Sequence, residues 1–220
     1  MRNNGKLLPG ILILTGLYIF STKTFAQVEV NVGADLMSRY VWRGTDFGGS
    51  PSIQPTLEMS AGSFVLGAWG AYTTNAPGAQ EADLYAGYSF GDVFGLTLTD
   101  YYFPLDDMSD DYFDFDNFHS LEISGTLTID KFSLLAGKFF AGADDQSLYL
   151  EAGYDLGVAN IFLGAGNEVY TTDGDFAVVN IGIGASKEIK FTDYFSLPLS
   201  GSLILNPESE SLFMVVGVSF

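Results

Sequence analysis

The chain has 220 residues, no cysteine and a formal net charge of −18. The missing cysteines exclude a disulfide framework and thiol chemistry, and the negative charge argues against nucleic acid as a partner. Hydrophobic residues make up 47% and aromatic residues 15% of the chain, which is too apolar for a disordered protein.

The first 26 residues have the pattern of a secretory signal peptide. Arg2 and Lys6 form a positive n-region, residues 7–20 are apolar, and Thr24 and Ala26 provide the small residues of a cleavage site. Cleavage after Ala26 leaves residues 27–220, which we expect to form one domain. This remainder has no apolar run long enough for a transmembrane helix.

From Val28 onward, apolar and polar residues alternate, as they do in β-strands. The first segment, 28–42, places valines, Tyr40 and Trp42 on one face and Glu29, Asp35, Arg39 and Arg43 on the other. The alternation predicts twelve strands: 28–42, 53–59, 64–73, 81–90, 94–103, 120–129, 132–140, 147–156, 159–170, 176–186, 195–205 and 211–220.

The segments between these strands alternate between tight turns and longer, more acidic loops. Transmembrane β-barrels have an even number of strands, short periplasmic turns and longer outer loops. The sequence therefore predicts an all-β fold, a twelve-stranded antiparallel barrel in the outer membrane of a Gram-negative bacterium, with both termini in the periplasm. A soluble β-sandwich or lipocalin-like barrel also alternates. Strand length, aromatic residues such as Tyr40, Trp42, Tyr88 and Phe90 near strand ends, and the terminal Phe220 favour the membrane.

Four residues fit the predicted strands poorly. Pro55 and Pro198 each remove a ladder hydrogen bond, so we expect bulges there. Asp100 and Lys138 fall on faces that are otherwise apolar, and a bulge or a register slip would turn either of them inward.

The N-terminal third contains three more specific motifs: DLMSRYVWRG at 35–44, SPSIQPTLE at 50–58 and GAWG at 67–70. Over residues 32–103 this region resembles the TorF family of porin-like outer-membrane proteins of unknown function. The resemblance implies an outer-membrane barrel and a pore. It provides no catalytic residues.

Charged residues on the polar faces should line the lumen, because a charge facing lipid costs several kcal/mol. The residues that we expect to line it and to set its selectivity are Asp35, Arg39, Arg43, Glu58, Asp83, Glu122, Glu151 and Glu168. Glu29, Glu81 and Asp155 belong to the same faces. The acids outnumber the arginines, which favours a water-filled path for cations over a lumen closed by ion pairs. Arg39 should pair with Asp83 or Glu58.

Two other groups of residues are candidates for a metal site and for a catalytic site. Six aspartates crowd segment 104–117, where they could bind Ca²⁺, although their spacing matches no EF-hand loop and a solvated acidic loop explains them better. His119 is the only histidine. Its parity places it on the lipid-facing side without a nucleophile motif, so we expect no enzyme activity and no cofactor.

The predicted function is therefore a porin with a small, cation-preferring path for small cationic or neutral solutes. The alternatives are a scaffolding barrel without conductance and an outer-membrane hydrolase. Besides membrane lipid, the expected partner is the barrel-assembly machinery, which would read the C-terminal strand ending at Phe220.

Overall fold

The computed structural model describes residues 27–75, 80–104, 112–142 and 146–220. The predicted signal peptide lies outside these ranges. The strands are β1 (Val28–Met37), β2 (Val41–Trp42), β3 (Thr45–Asp46), β4 (Ser52–Ala61), β5 (Phe64–Thr73), β6 (Gln80–Phe90), β7 (Phe94–Tyr102), β8 (His119–Ile129), β9 (Phe132–Gly142), β10 (Leu148–Asp155), β11 (Asn160–Gly166), β12 (Ala177–Lys190), β13 (Ser196–Asn206) and β14 (Ser211–Ser219). Helix α1 covers Phe115–Phe118, and a 3-10 helix covers Glu168–Tyr170.

Twelve of these strands form one closed antiparallel barrel, in the order β1, β14, β13 and so on down to β4, which pairs with β1. This confirms the predicted fold class. The barrel closes where β14 pairs with β1, and we call this pairing the seam. Only three residue pairs are in register there, compared with ten between β1 and β4. One further pair of backbone hydrogen bonds joins Ala34 and Phe220, with N–O distances of 3.0 and 3.3 Å.

The connections form two groups at opposite ends of the barrel. One end, the short-turn end, has the connections 62–63, 91–93, 130–131, 156–159 and 191–195. The other end, the long-loop end, has the connections 38–51, 74–79, 103–118, 143–147, 167–176 and 207–210. Both the beginning of β1 and the end of β14 lie toward the short-turn end.

Apolar side chains cover the outside of the barrel. Along β1, for example, Val28, Val30 and Val32 are 56%, 64% and 78% exposed. Tyr88 and Phe90, which are exposed beside each other at the short-turn end of β6, match the predicted aromatic girdle. A soluble barrel would turn its apolar face inward, so this distribution argues against the lipocalin-like alternative.

The first strand is shorter than predicted. β1 ends at Met37, and residues 38–51 turn into the lumen, where β2 and β3 form a small hairpin. Tyr40 and Trp42 therefore do not face the membrane; Tyr40 is only 5% exposed. We call residues 39–50 the inward hairpin.

The irregular positions also differ from the prediction. Register continues unchanged past Pro55 and Pro198, so the bulges predicted there are absent. The sheet tolerates Pro198 in regular register because the pairing of β13 with β14 ends at Leu199. No ladder hydrogen bond to β14 is therefore expected from the position where Pro198 lacks an N–H group. Register shifts occur instead at Leu121/Glu122 and Gly164/Ala165.

Asp100 and Lys138 stay on the outward face. Their neighbours Tyr101, Gly137 and Phe139 are buried inside. Among the described residues, no helix is long and apolar enough to cross a membrane.

Candidate functional site in the lumen

One row of paired residues identifies the inner face of the barrel wall. Partners across an antiparallel pair point to the same face, and the register links Asn31, Glu58, Gly67, Tyr85, Thr99 and Glu122 around half of the barrel. Glu122 contacts the inward hairpin, so the whole row faces the lumen. Three predicted lumen residues, Glu58, Asp83 and Glu122, are on this side.

The inward hairpin is built on a two-residue turn. Val41 pairs with Asp46 and Trp42 with Thr45, which leaves Arg43 and Gly44 in the turn with φ values of 48° and 83°. Positive φ at both positions is what a tight type I′ turn requires. A Cβ at Gly44 would lie 1.9 Å from the carbonyl oxygen of Val179, so only glycine allows the tip to reach β12.

Arg43, at the hairpin tip, is bound on several sides. Its guanidinium group donates to both carboxylate oxygens of Glu122 on β8, with an Nη2–Oε1 distance of 2.9 Å, and to the hydroxyl of Tyr170. It also lies 4.3 Å from the ring centre of Trp42 and 4.6 Å from that of Tyr149. The side chains of Arg43 and Glu122 are 9% and 1% exposed. A bidentate, buried pair of this kind fixes the hairpin tip across the lumen.

Aromatic packing surrounds this ion pair. Tyr101, Phe139, Tyr149, Tyr170 and Val179 form a buried cluster, and Trp42 of the inward hairpin packs against it. Beside the cluster, the Tyr149 hydroxyl donates to Glu151, and the side-chain amide of Asn180 donates to Glu151 at 3.0 Å. The lumen at the long-loop end is therefore largely filled by side chains.

A cavity of about 460 Å³ remains on the other side of the inward hairpin. Its walls include residues of the hairpin, of β4 to β7, and of β13 and β14. The charged and aromatic residues of its wall include Arg39, Tyr40, Trp42, Trp69, Asp83 and Tyr101. Tyr40 lies 5.5 Å from Trp69, and Trp42 lies 5.5 Å from Tyr101, measured between ring centres.

Toward the short-turn end, the inner wall consists mainly of small polar residues. Representative members of this wall are Ser60, Ser89, Thr97, Thr126, Ser133 and Ser186. Ser89, Thr126, Ser133 and Ser186 are exposed. Such side chains take up less of the lumen than the aromatic cluster at the long-loop end does.

The remaining predicted lumen residues occupy varied positions. Asp35 is half-buried beside Gln54, a residue of the cavity wall. Arg39 pairs with Asp46 of the same hairpin, so the predicted pairing with Asp83 or Glu58 is wrong. Arg43 lies in a turn rather than on the first strand.

Glu168 is also misplaced by the prediction. β11 ends at Gly166, and Glu168 is exposed in the 3-10 helix of the following loop. It therefore does not line the lumen wall. Glu168 has a positive φ of 53°, which does not occur in a strand, and the alternating pattern gives no sign of it.

His119 lies on the outward face, under the segment 112–118. Its Nδ1 is 2.8 Å from Asp100, its Nε2 is 2.7 Å from the carbonyl oxygen of Tyr112, and the ring of Phe115 stacks on it. Both ring nitrogens are thus occupied, and neither contacts a nucleophile. Among the residues that the structure describes, no three acidic or histidine side chains form a metal site. Most of the aspartates of 104–117 lie outside the described residues.

Sequence reasoning missed the inward hairpin and the Trp42–Tyr101 and Tyr149–Tyr170 contacts. The signal that could have revealed the hairpin is the Arg43-Gly44 pair, since glycine next to a polar residue at the centre of a short alternating segment is typical of a two-residue turn. The contacts between distant strands have no local signal.

No curated protein matches the chain. Solved structures that are similar include three mutants of the Rh. blastica porin. Their sequences are 12–14% identical to this chain, and the TM-scores are 0.38, 0.39 and 0.41, all below 0.5. Each match covers 88% of this chain and 99% of the porin chain. The family model for bacterial proteins of unknown function named Gcw_chp matches residues 22–195. That match does not confirm the TorF resemblance. It does establish that the chain belongs to the Gcw_chp family.

Proposed function

We propose that the protein is a channel of the bacterial outer membrane, with a narrow lumen that passes small solutes and prefers cations. The observation that carries this proposal is the distribution of side chains on a closed barrel. Apolar residues are exposed on the outside while polar residues line the inside. A barrel surrounded by lipid and filled with water needs this arrangement.

The inward hairpin would set the width of the path. A twelve-stranded barrel lies between eight-stranded barrels filled by side chains and sixteen-stranded open porins. Here the hairpin and the aromatic cluster occupy one half of the lumen, and the small polar residues leave the other half free. The path therefore favours small solutes.

The preference for cations is supported by the balance of charges. Glu122 is neutralised by Arg43, and Arg39 is neutralised by Asp46. The carboxyl groups of Glu58 and Glu151 accept hydrogen bonds from uncharged donors, namely Tyr85, Tyr149 and Asn180. An excess of negative charge remains, and within a confined lumen it is screened only over roughly 8 Å at physiological salt.

The second candidate is a scaffolding barrel without conductance. The bidentate Arg43–Glu122 pair and the packing of Trp42 into the aromatic cluster favour it, because they hold the hairpin across the lumen. The hydrolase alternative has no such support among the described residues, since the Nε2 atom of His119 faces a backbone carbonyl group.

Conductance of the refolded protein in planar bilayers tests the proposal. Under a KCl gradient we expect a reversal potential with the sign of K⁺ permeation. The double variant Glu58→Gln/Glu151→Gln should move it toward zero, because it removes two lumen charges that no basic group neutralises. Asp130→Asn, a change of charge in an exposed turn, is the matched control.

The outcomes separate the candidates. A preference for Cl⁻ would contradict the proposed selectivity. An absence of conductance, both in the full-length mature protein and after removal of the inward hairpin, would leave the scaffolding barrel.

A further inference from the structure

We propose that the cavity beside the inward hairpin is a binding site for a small organic cation that carries N–H groups, such as a protonated alkylamine. The proposal rests on the proposed channel function in one respect: the ligand has to enter the lumen from water. The cavity, of about 460 Å³, falls in the range of small-molecule sites, which are roughly 300–1,000 Å³.

The first argument is an acceptor that has no donor. Asp83 is 5% exposed, and its Oδ1 atom has no hydrogen-bond partner among the described residues. Asp83 lines the cavity. A buried polar atom without a partner is destabilising. A small rotation of the Asp83 side chain toward the cavity would let an N–H group of a ligand donate to it.

The second argument is the charge around that acceptor. Glu81, which is 2% exposed, lies next to Asp83 and interacts with it. The basic residue of the cavity wall is Arg39, and its guanidinium group is paired with Asp46. The side chains of Glu81 and Asp83 are hydrogen-bonded to each other, so one carboxyl group holds a proton and the other carries a negative charge. A buried negative charge without a free basic partner favours a cation, which offsets its desolvation.

The third argument is the aromatic lining. Tyr40, Trp42, Trp69 and Tyr101 all line the cavity, where Tyr40 lies beside Trp69 and Trp42 lies beside Tyr101. Aromatic faces attract cations, most strongly where water is excluded. Carboxyl groups and aromatic rings together distinguish an organic cation from a neutral solute or an anion.

Access is possible from the short-turn end. Tyr85, Thr99 and Ser202 line the cavity, and each lies further toward the short turns than its wall neighbour Asp83, Tyr101 or Ile204. Below them the wall continues with small polar residues. Glu58, which accepts a hydrogen bond from Tyr85 at 2.9 Å, adds negative charge along the approach.

The two tryptophans of the chain provide a built-in probe. Trp42 and Trp69 are the only tryptophans in the sequence, and both line the cavity. Ligand binding should therefore change the tryptophan emission of the refolded mature protein in detergent, with no requirement for a membrane or for conductance.

The experiment titrates this protein with butylammonium chloride, butanol and sodium butyrate, following tryptophan emission and heat by isothermal titration calorimetry. We expect saturable binding of butylammonium, with no saturable binding of butyrate and much weaker binding of butanol. Asp83→Asn should weaken butylammonium binding about tenfold or more, because it removes one partner of a buried charge pair. Asp92→Asn, in an exposed turn, is the charge-matched control and should bind normally.

A second variant keeps the test decisive if Asp83→Asn fails to fold. Ser202→Phe fills the cavity from the opposite wall without touching the acids, and it should also abolish binding. Equal affinity for butanol and butylammonium, or unchanged binding by both Asp83→Asn and Ser202→Phe, would overturn the proposed site. Conductance without binding would contradict the site alone, whereas binding without conductance would contradict the channel alone.

Discussion

The two halves of the lumen are built from different kinds of residue. At the long-loop end, residues of the inward hairpin meet large aromatic side chains and the buried Arg43–Glu122 pair. At the short-turn end, the inner wall carries mainly serine, threonine and glycine, with Val65 and Phe162 among them, and no described segment is inserted there. The barrel has the same number of strands throughout. Side-chain size and one inserted segment, rather than strand number, therefore distinguish the two halves of the lumen.

Removal of the inward hairpin should have the largest effect, because it would open the narrow half of the lumen. Met37 pairs with Ser52, so the strands on either side of residues 39–50 are adjacent and a short Gly-Ser linker can join them. We expect conductance to rise several-fold, because the aromatic cluster loses the segment that it holds. Single-channel recording measures this. Unchanged conductance would mean that the hairpin does not restrict the path.

Breaking the Arg43–Glu122 ion pair tests whether it holds the inward hairpin across the lumen. Arg43→Ala leaves the carboxylate of Glu122 buried without a partner, and losing one member of a buried pair costs about 3–5 kcal/mol. We expect the free energy of unfolding to fall by that order and the channel to open more often. Urea unfolding followed by tryptophan fluorescence, together with bilayer recording, measures both.

Two further variants control this measurement. Arg39→Ala breaks the more exposed pair with Asp46 and should cost at most about 1 kcal/mol. The double variant Arg43→Met/Glu122→Met should recover most of the stability lost in Arg43→Ala, since it removes the uncompensated charge. A loss of stability in the double variant as large as in Arg43→Ala would assign the effect to packing rather than to charge.

The smallest expected effect concerns Phe220. Its backbone is hydrogen-bonded to Ala34 at the seam, and the residue is 66% exposed. Deletion of Phe220 removes both the bonds and the proposed recognition by the assembly machinery, while Phe220→Ala removes the ring alone. We expect the deletion to lower the yield of folded protein in the membrane more than Phe220→Ala does, with Ser219→Ala as the control. Equal yields for all three variants would exclude an assembly role.

The sequence predicted most of the barrel because each strand has its own alternating pattern and each connection its own turn residues. Strand number, closure and the inward position of Glu58, Asp83 and Glu122 all follow from these local signals. The lumen contents did not follow. Alternation continues from Met37 through Trp42 and hides the end of β1. The Arg43-Gly44 pair is a local signal for a turn, but it does not indicate that the hairpin points into the lumen. The partner of Arg43 lies 79 residues away, a separation that no local pattern encodes.

The short seam also makes one part of the barrel wall easier to separate than the rest. Below the Ala34–Phe220 bonds, residues 28–33 of β1 pair with β4 on one side, and the register with β14 does not extend to them. The described contacts therefore hold this part of β1 through a single neighbouring strand. Because local opening is easiest where few backbone contacts hold a segment, the amide hydrogens of residues 28–33 should exchange with solvent faster than those in the middle of the wall.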